Sequence, residues 1–156
     1  MKAIVSLAAG IAAIAASPAQ AGPAVQAPID RMAAAFNKGD VAAAKKTHVA
    51  APSILDAEVP PFAWRGAGAF DRWVADLVKT EKAQGRTDGQ VALGAPIAED
   101  VHNNAAYVVR PSTYTFHQNG RVMRETGTMT FVLQKTGADW KIQAWTWTSP
   151  PAAPVN

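Results

Sequence analysis

The chain has no cysteine in 156 residues. Disulfide staples, thiolate nucleophiles and Cys-ligated zinc are therefore excluded, and the fold must be held by its core alone. Clustered charge is also missing. The formal net charge is +3, and no block of like charge exceeds the pair Lys45-Lys46, so nothing resembles a nucleic-acid arm or a polybasic membrane patch. No apolar run is long enough to span a bilayer as an ordinary helix. There is no P-loop, no GxGxxG and no Ser/His/Asp triad signature. The three histidines, His48, His102 and His117, fall at a helix end, a turn and a hairpin, and no two have metal-ligand spacing. Neither a metal nor a cofactor is expected.

What is present begins with the N-terminus. Met1-Lys2 is its positive end, Ala3 to Ala16 is uncharged and apolar, and Ala19-Gln20-Ala21 offers the small residues a signal peptidase accepts. Ser17-Pro18 interrupts the run before that triplet. Met1–Ala21 reads as a removed export signal, which implies a periplasmic or secreted protein with no stable membrane insertion. Removing 21 of 156 residues leaves 135, enough for one domain and too few for two. The stretch Gly22–Gln26 reads as a short leader, and residues 150–156, with Pro150-Pro151-Ala152-Ala153-Pro154, as a disordered or polyproline-like tail. The domain then spans 22–149.

Pro28 suits the first turn of a helix, with Ile29, Met32, Ala33 and Phe36 recurring at i, i+3, i+4 and i+7 up to Gly39. Asp40 can cap a second, shorter helix over Val41–Thr47, stopped by Pro52. A short strand, Ser53–Ala57, leads to the loop Pro60-Pro61-Phe62-Ala63-Trp64, where regular structure is not expected. The third helix places Phe70, Trp73, Val74, Leu77, Val78 and Glu81 on one stripe, and Gly85 closes it. Strands are predicted over Gln90–Ile97, Ala105–Gln118, Arg121–Lys135 and Trp140–Ser149, joined by short turns as an antiparallel meander. This order predicts an α+β domain with helices on one face of the sheet.

Asn119-Gly120 sets the register, because a two-residue type I′ turn needs two positive φ angles. Tyr114 then faces Glu125, and Phe116 faces Met123. By alternation one face carries Tyr114, Phe116, Met123, Glu125, Met129, Phe131 and Leu133 and should meet the helices. The other carries Thr113, Thr115, His117, Arg124, Thr126, Thr128 and Thr130. Glu125 is the exception on the apolar face. A carboxylate aimed at a core is costly unless paired or open to a cavity, and Tyr114 is opposite it as a donor. Extending the register pairs Lys135 with Trp140, which turns Trp140, Ile142 and Ala144 inward and Trp145 and Trp147 outward beside Thr128 and Thr130. Two indoles on a threonine-rich outer face predict a homodimer interface. A bulge in the last strand would instead turn them inward. Pro111 is expected to mark another bulge, leaving the direction of Arg110 unreadable.

Phe36-Asn37-Lys38-Gly39-Asp40, a short strand ending at Asp56, an amphipathic third helix and a meander closing on Gly137-Ala138-Asp139-Trp140-Lys141-Ile142 together resemble the nuclear transport factor 2-like superfamily, and within it the SnoaL-like members. The resemblance covers essentially the whole chain after residue 21. It implies a cone-like, cystatin-like fold, three N-terminal helices packed on a strongly curved antiparallel sheet, with a pocket at the open end. It also implies a range of functions, from isomerases, cyclases and dehydratases to non-catalytic binding proteins, so fold alone assigns none. An ungapped match from Asn37-Lys38-Gly39-Asp40 sets Asp56 at the position of the ketosteroid isomerase general base. The oxyanion-hole tyrosine falls on Met32 and its aspartate near Thr128–Met129, where methionine cannot donate a hydrogen bond. Ketosteroid isomerase activity is rejected on that ground.

Asp56 shares a strand face with Ile54 and points toward the implied pocket, as a base or, alternatively, as a cap on the loop backbone. Trp64 is expected to wall the mouth, and Tyr114 to act as acid or donor. Glu125, Trp73, Met32 and Met129 complete the ligand-binding set. Three functions stay open: a pocket protein that holds a small, largely apolar molecule, an isomerase, lyase or hydrolase using Asp56, and a protein-interaction module working through the outer sheet face.

Overall fold

The computed structural model describes residues 22–155, so the expected export signal lies outside the described residues. The first helix, α1 (Pro23–Asn37), starts earlier than expected. Pro23 takes the first-turn position, Pro28 lies inside the helix, and Gly22–Gln26 is helical entry rather than leader. Its buried stripe explains the extension. Val25 precedes Ile29 by one turn and continues the spacing of Ile29, Met32 and Ala33. Next comes α2 (Val41–Lys46), capped by Asp40, whose carboxylate accepts from the Ala43 N–H at 2.9 Å.

The chain then enters β1 (His48–Asp56), longer than expected because Pro52 lies within it. The double-proline segment gives way at once to a short strand, β2 (Ala63–Arg65), which pairs antiparallel with β1, so this loop does end in regular structure. The helix α3 (Ala69–Gln84) follows, closed by Gly85 at φ 64°. Its buried stripe holds Ala69, Phe70 and Trp73, with Val74 and Leu77 packed against the core, while Val78 is exposed. Three helices are present among the described residues, but α3 follows two strands, so they do not form an N-terminal block.

The remaining strands are β3 (Arg86–Leu93), β4 (Ala98–His102), β5 (Ala105–Gln118), β6 (Arg121–Thr136), β7 (Asp139–Thr148) and β8 (Ala153–Pro154). The sheet order is β2-β1-β7-β6-β5-β3, with β4 on β5 and β8 on β6. It is mixed rather than wholly antiparallel, since β1 runs parallel to β7. β4 occupies residues expected to be a turn. The proline-rich end is not a free polyproline tail either: Met123 pairs with Pro154, and Val155 donates to the Val122 carbonyl at 2.9 Å.

The hairpin register agrees in full, with Tyr114 opposite Glu125, Phe116 opposite Met123, and Lys135 opposite Trp140. No register shift occurs at Pro111, which pairs with Thr128. Its missing N–H falls where the partner of β5 changes from β4 to β3, so no ladder bond is lost there. The last strand differs. Val132 pairs with Ala144 but Leu133 pairs with Ile142, leaving Gln143 as an extra residue. That bulge reverses the alternation, so Trp145 and Trp147 are buried on the helix-facing side, and Ala144 turns away. Thr128 and Thr130 remain on the other face without the indoles. The basis for a homodimer or interaction module through that face is removed.

Candidate functional site

Between α1, α3 and the inner face of the sheet lies a pocket of about 80 Å³, open to solvent on one side. Its wall is mostly apolar and includes Met32, Phe36, Trp73, Met129, Trp145 and Trp147. The expected residues Met32, Trp73, Met129 and Tyr114 therefore do meet around one space. Trp64 does not. It is buried behind the pocket wall and donates its indole N–H to Asp76 at 2.9 Å. The reason is its strand: pairing with Ile54 turns Trp64 into the core beneath α3 rather than over a mouth.

Asp56, at the end of β1, lines the pocket and is buried. Both roles read for it from the sequence are visible. Oδ1 accepts from the Glu58 backbone N–H at 3.0 Å, fastening the loop, while Oδ2 accepts from the Trp73 indole at 3.0 Å. Burial pushes its pKa up, against the Trp73 indole and the Glu58 and Val59 backbone N–H groups that hold it down, and the Glu58 charge adds to the rise.

Glu58 and Arg86 were not singled out from the sequence, yet both line the pocket. The Glu58 Oε1 accepts from Trp147 at 2.9 Å and from the Ser149 hydroxyl at 2.8 Å, and Oε2 meets Arg86 Nη1 at 3.1 Å. Arg86 Nη2 reaches Glu125 at 3.3 Å, and its guanidinium lies 4.2 Å from the Phe116 ring centre. One cation is thus shared by two carboxyl groups. Burial alone would raise Glu58, but contact with Glu125, the two donors and Arg86 outweigh it and hold its pKa down. Burial, then contact with Glu58, pushes Glu125 up to about 9, so it is the protonated partner at neutral pH. Glu125 does not form the expected pair with Tyr114. The phenol donates to Glu81 on α3 instead. Burial and Glu81 raise the Tyr114 pKa far above its ordinary value, so this residue keeps its proton and is a poor acid. The glycine at position 89 makes room for it, since a Cβ there would collide with the Tyr114 ring.

His48 sits behind Trp145. Its Nδ1 is 3.0 Å from the Ala44 carbonyl, and its Nε2 accepts from the Trp145 indole at 3.1 Å. Burial lowers its pKa to about 4. The ring is therefore neutral and Nδ1-protonated, and nitrogen-detected NMR should find it so at pH 5.5. A protonated ring at that pH would contradict the hydrogen-bond assignment. Because the folded value lies below the ordinary 6.5, the stability His48 contributes is present above pH 6.5 and declines as pH falls toward 4. Arg110 is not in the pocket lining and is bound to Asp30 on α1 at 2.6 Å and to the Gly94 carbonyl at 2.7 Å. No group of three or more metal-ligating side chains occurs among the described residues. No helix among them is long and apolar enough to cross a membrane.

The profile of the SnoaL-like domain matches residues 25–152. The chain belongs to the SnoaL-like family. Solved structures in the nuclear transport factor 2-like superfamily share its fold. The hexachlorocyclohexane dehydrochlorinase LinA-type3 from Novosphingobium barchaimii is 10% identical, with a TM-score of 0.71, over 85% of this chain and 88% of the other. An NTF2-like protein from Salmonella enterica serovar Typhimurium is 22% identical, with a TM-score of 0.65, over 81% and 89%. A ketosteroid isomerase-like protein from Erwinia carotovora atroseptica is 15% identical, with a TM-score of 0.62, over 82% and 95%. These identities speak for the fold alone. No curated protein sequence matches the chain. Within this SnoaL-like pocket, Asp56 follows from the ungapped match, whereas Glu58, Arg86 and Ser112 lie outside that motif.

Proposed function

We propose that this is an exported SnoaL-like protein that holds a small, largely apolar molecule in its pocket, with Asp56 meeting the molecule's polar group. One observation carries the reading: an open, apolar-walled space of about 80 Å³ has the buried Asp56 carboxyl on its wall. For scale, an engineered cavity of about 150 Å³ takes up benzene. By that scale the space as it stands suits about three heavy atoms, so a ligand of five or six projects through the mouth or displaces Met32 and Met129, which are adaptable side chains. Export rests on the Met1–Ala21 pattern alone.

A second reading has Asp56 act as a base in an isomerase, lyase or hydrolase. Its support is the raised Asp56 pKa, which makes a stronger base than an ordinary aspartate, and the dehydrochlorinase among the proteins of similar fold. Tyr114 is not the acid in that scheme.

The test is Asp56→Asn. Asparagine preserves an acceptor for Trp73 or Glu58, so far-UV circular dichroism should be unchanged. Binding of cyclopentanol, whose hydroxyl would donate to Asp56, should weaken about 5- to 10-fold, the scale of one hydrogen bond. Equal affinity for the variant and the wild type would remove Asp56 from the binding role.

A further inference from the structure

Three buried side-chain polar atoms among the described residues have no hydrogen-bond partner: Arg86 Nε, Ser112 Oγ and Glu125 Oε2. They are not scattered. Arg86 and Ser112 both line the pocket, and Glu125 is tied to the same guanidinium. An orphaned buried polar group is costly, and natural proteins rarely keep one without a use. Two of the three residues, Arg86 and Ser112, lie on the wall of one cavity, and that wall marks the side where a ligand supplies a missing partner.

The chemistry of that wall is specific. Ser112 is 3% exposed and sits on β5 two residues before Tyr114, so it shares the inner face. The indole and phenol donors around the space are already committed: the Trp73 indole to Asp56, the Trp147 indole to Glu58, the Trp145 indole to His48 and the Tyr114 hydroxyl to Glu81. The Ser112 hydroxyl is free to donate, and Arg86 Nε–H is a second free donor farther along. The acidic groups of the lining, Asp56, Glu58 and Glu81, make an anionic ligand unfavourable, and the positive charge of Arg86 is already engaged by Glu58 and Glu125.

We propose that Ser112 is the hydrogen-bond donor to the ligand and that the pocket selects small apolar molecules carrying a neutral carbonyl oxygen. This rests on the binding function proposed above and adds the class of molecule bound. The carbonyl accepts from Ser112 on the sheet wall, the hydrocarbon part lies against the methionines and indoles, and a hydroxyl on the same molecule donates to Asp56 at the end of β1.

Cyclopentanone, its near-isostere methylenecyclopentane and cyclopentanecarboxylate separate the terms, with affinities read by titration of the indole N–H resonances. The wild type should bind the ketone more tightly than the hydrocarbon or the carboxylate. Ser112→Ala removes one oxygen atom and should weaken the ketone about 5-fold, the scale of one neutral hydrogen bond, while methylenecyclopentane changes less than twofold. If the ketone is unaffected, or both neutral probes weaken alike, the assignment of Ser112 is overturned. Tighter binding of the carboxylate overturns the carbonyl class. If methylenecyclopentane and cyclopentanone both fail to bind the wild type, the pocket function itself falls and takes this inference with it.

Discussion

Arg86→Met is expected to lose about 3–5 kcal/mol of stability at pH 7, the cost of stripping one partner from a buried charge pair. The check is a fall in the urea midpoint with an unchanged slope. The effect is large because Arg86 is the counter-charge to Glu58 at 3.1 Å and also a donor to the neutral Glu125 at 3.3 Å. Methionine keeps most of the packing against Phe116 and removes the charge. Glu125→Gln provides the companion experiment. The Glu125 pKa is raised by burial and by Glu58 to about 9, from an ordinary 4.5. Its contribution to stability is therefore complete below pH 4.5 and is lost as pH rises toward and through 9. Glutamine imitates the neutral acid and does not titrate. The wild type should lose ground steadily to the variant between those two pH values. A difference independent of pH would show that Glu125 is ionised in the folded protein.

Trp73→Ala should cost a similar amount, about 3–5 kcal/mol, as expected for truncating a buried tryptophan. Its ring packs edge-on against Trp145 at 4.9 Å and against Phe70 at 5.6 Å, and stacks on Phe36 at 6.4 Å, so one deletion loosens α1, α3 and β7 together. Trp73→Phe isolates the polar part. It retains an aromatic ring but withdraws the indole N–H from Asp56 Oδ2. That bond lowers the Asp56 pKa against the larger effect of burial, so the phenylalanine variant should titrate Asp56 at higher pH, read from the carboxyl carbon resonance. An unshifted titration would mean that the indole does not bear on the carboxylate.

The legible parts of this fold were those governed by local chemistry. Asn119-Gly120 fixed the β5–β6 register because few residue pairs accept two positive φ angles, and Asp40 announced α2 through its cap. The orientation of Trp145 and Trp147 was not legible in the same way. It depends on the single extra residue at Gln143, and a bulge leaves little trace in a sequence whose alternation reads equally well on either side of it. The parallel pairing of β1 with β7 is a long-range choice that no local signal encodes. Within the site, Asp56 was reached through the ungapped match, and Tyr114 through alternation. Ser112 lay one alternation step farther along the same strand, hidden by the expectation of a bulge at Pro111. Glu58 and Arg86 come from a loop and from the start of β3, so only the folded chain brings them together.

The central claim is that a small molecule enters the hollow beside Asp56. The most direct test follows the five indole N–H resonances of the nitrogen-labelled protein during titration with cyclopentanone. Trp73, Trp145 and Trp147 line the pocket, whereas Trp64 lies outside its lining, bonded to Asp76, and so serves as an internal reference. The account predicts saturable shifts at Trp73 and Trp147 with Trp64 unmoved. No saturable shift at Trp73 and Trp147, or a shift of Trp64 equal to theirs, would contradict it.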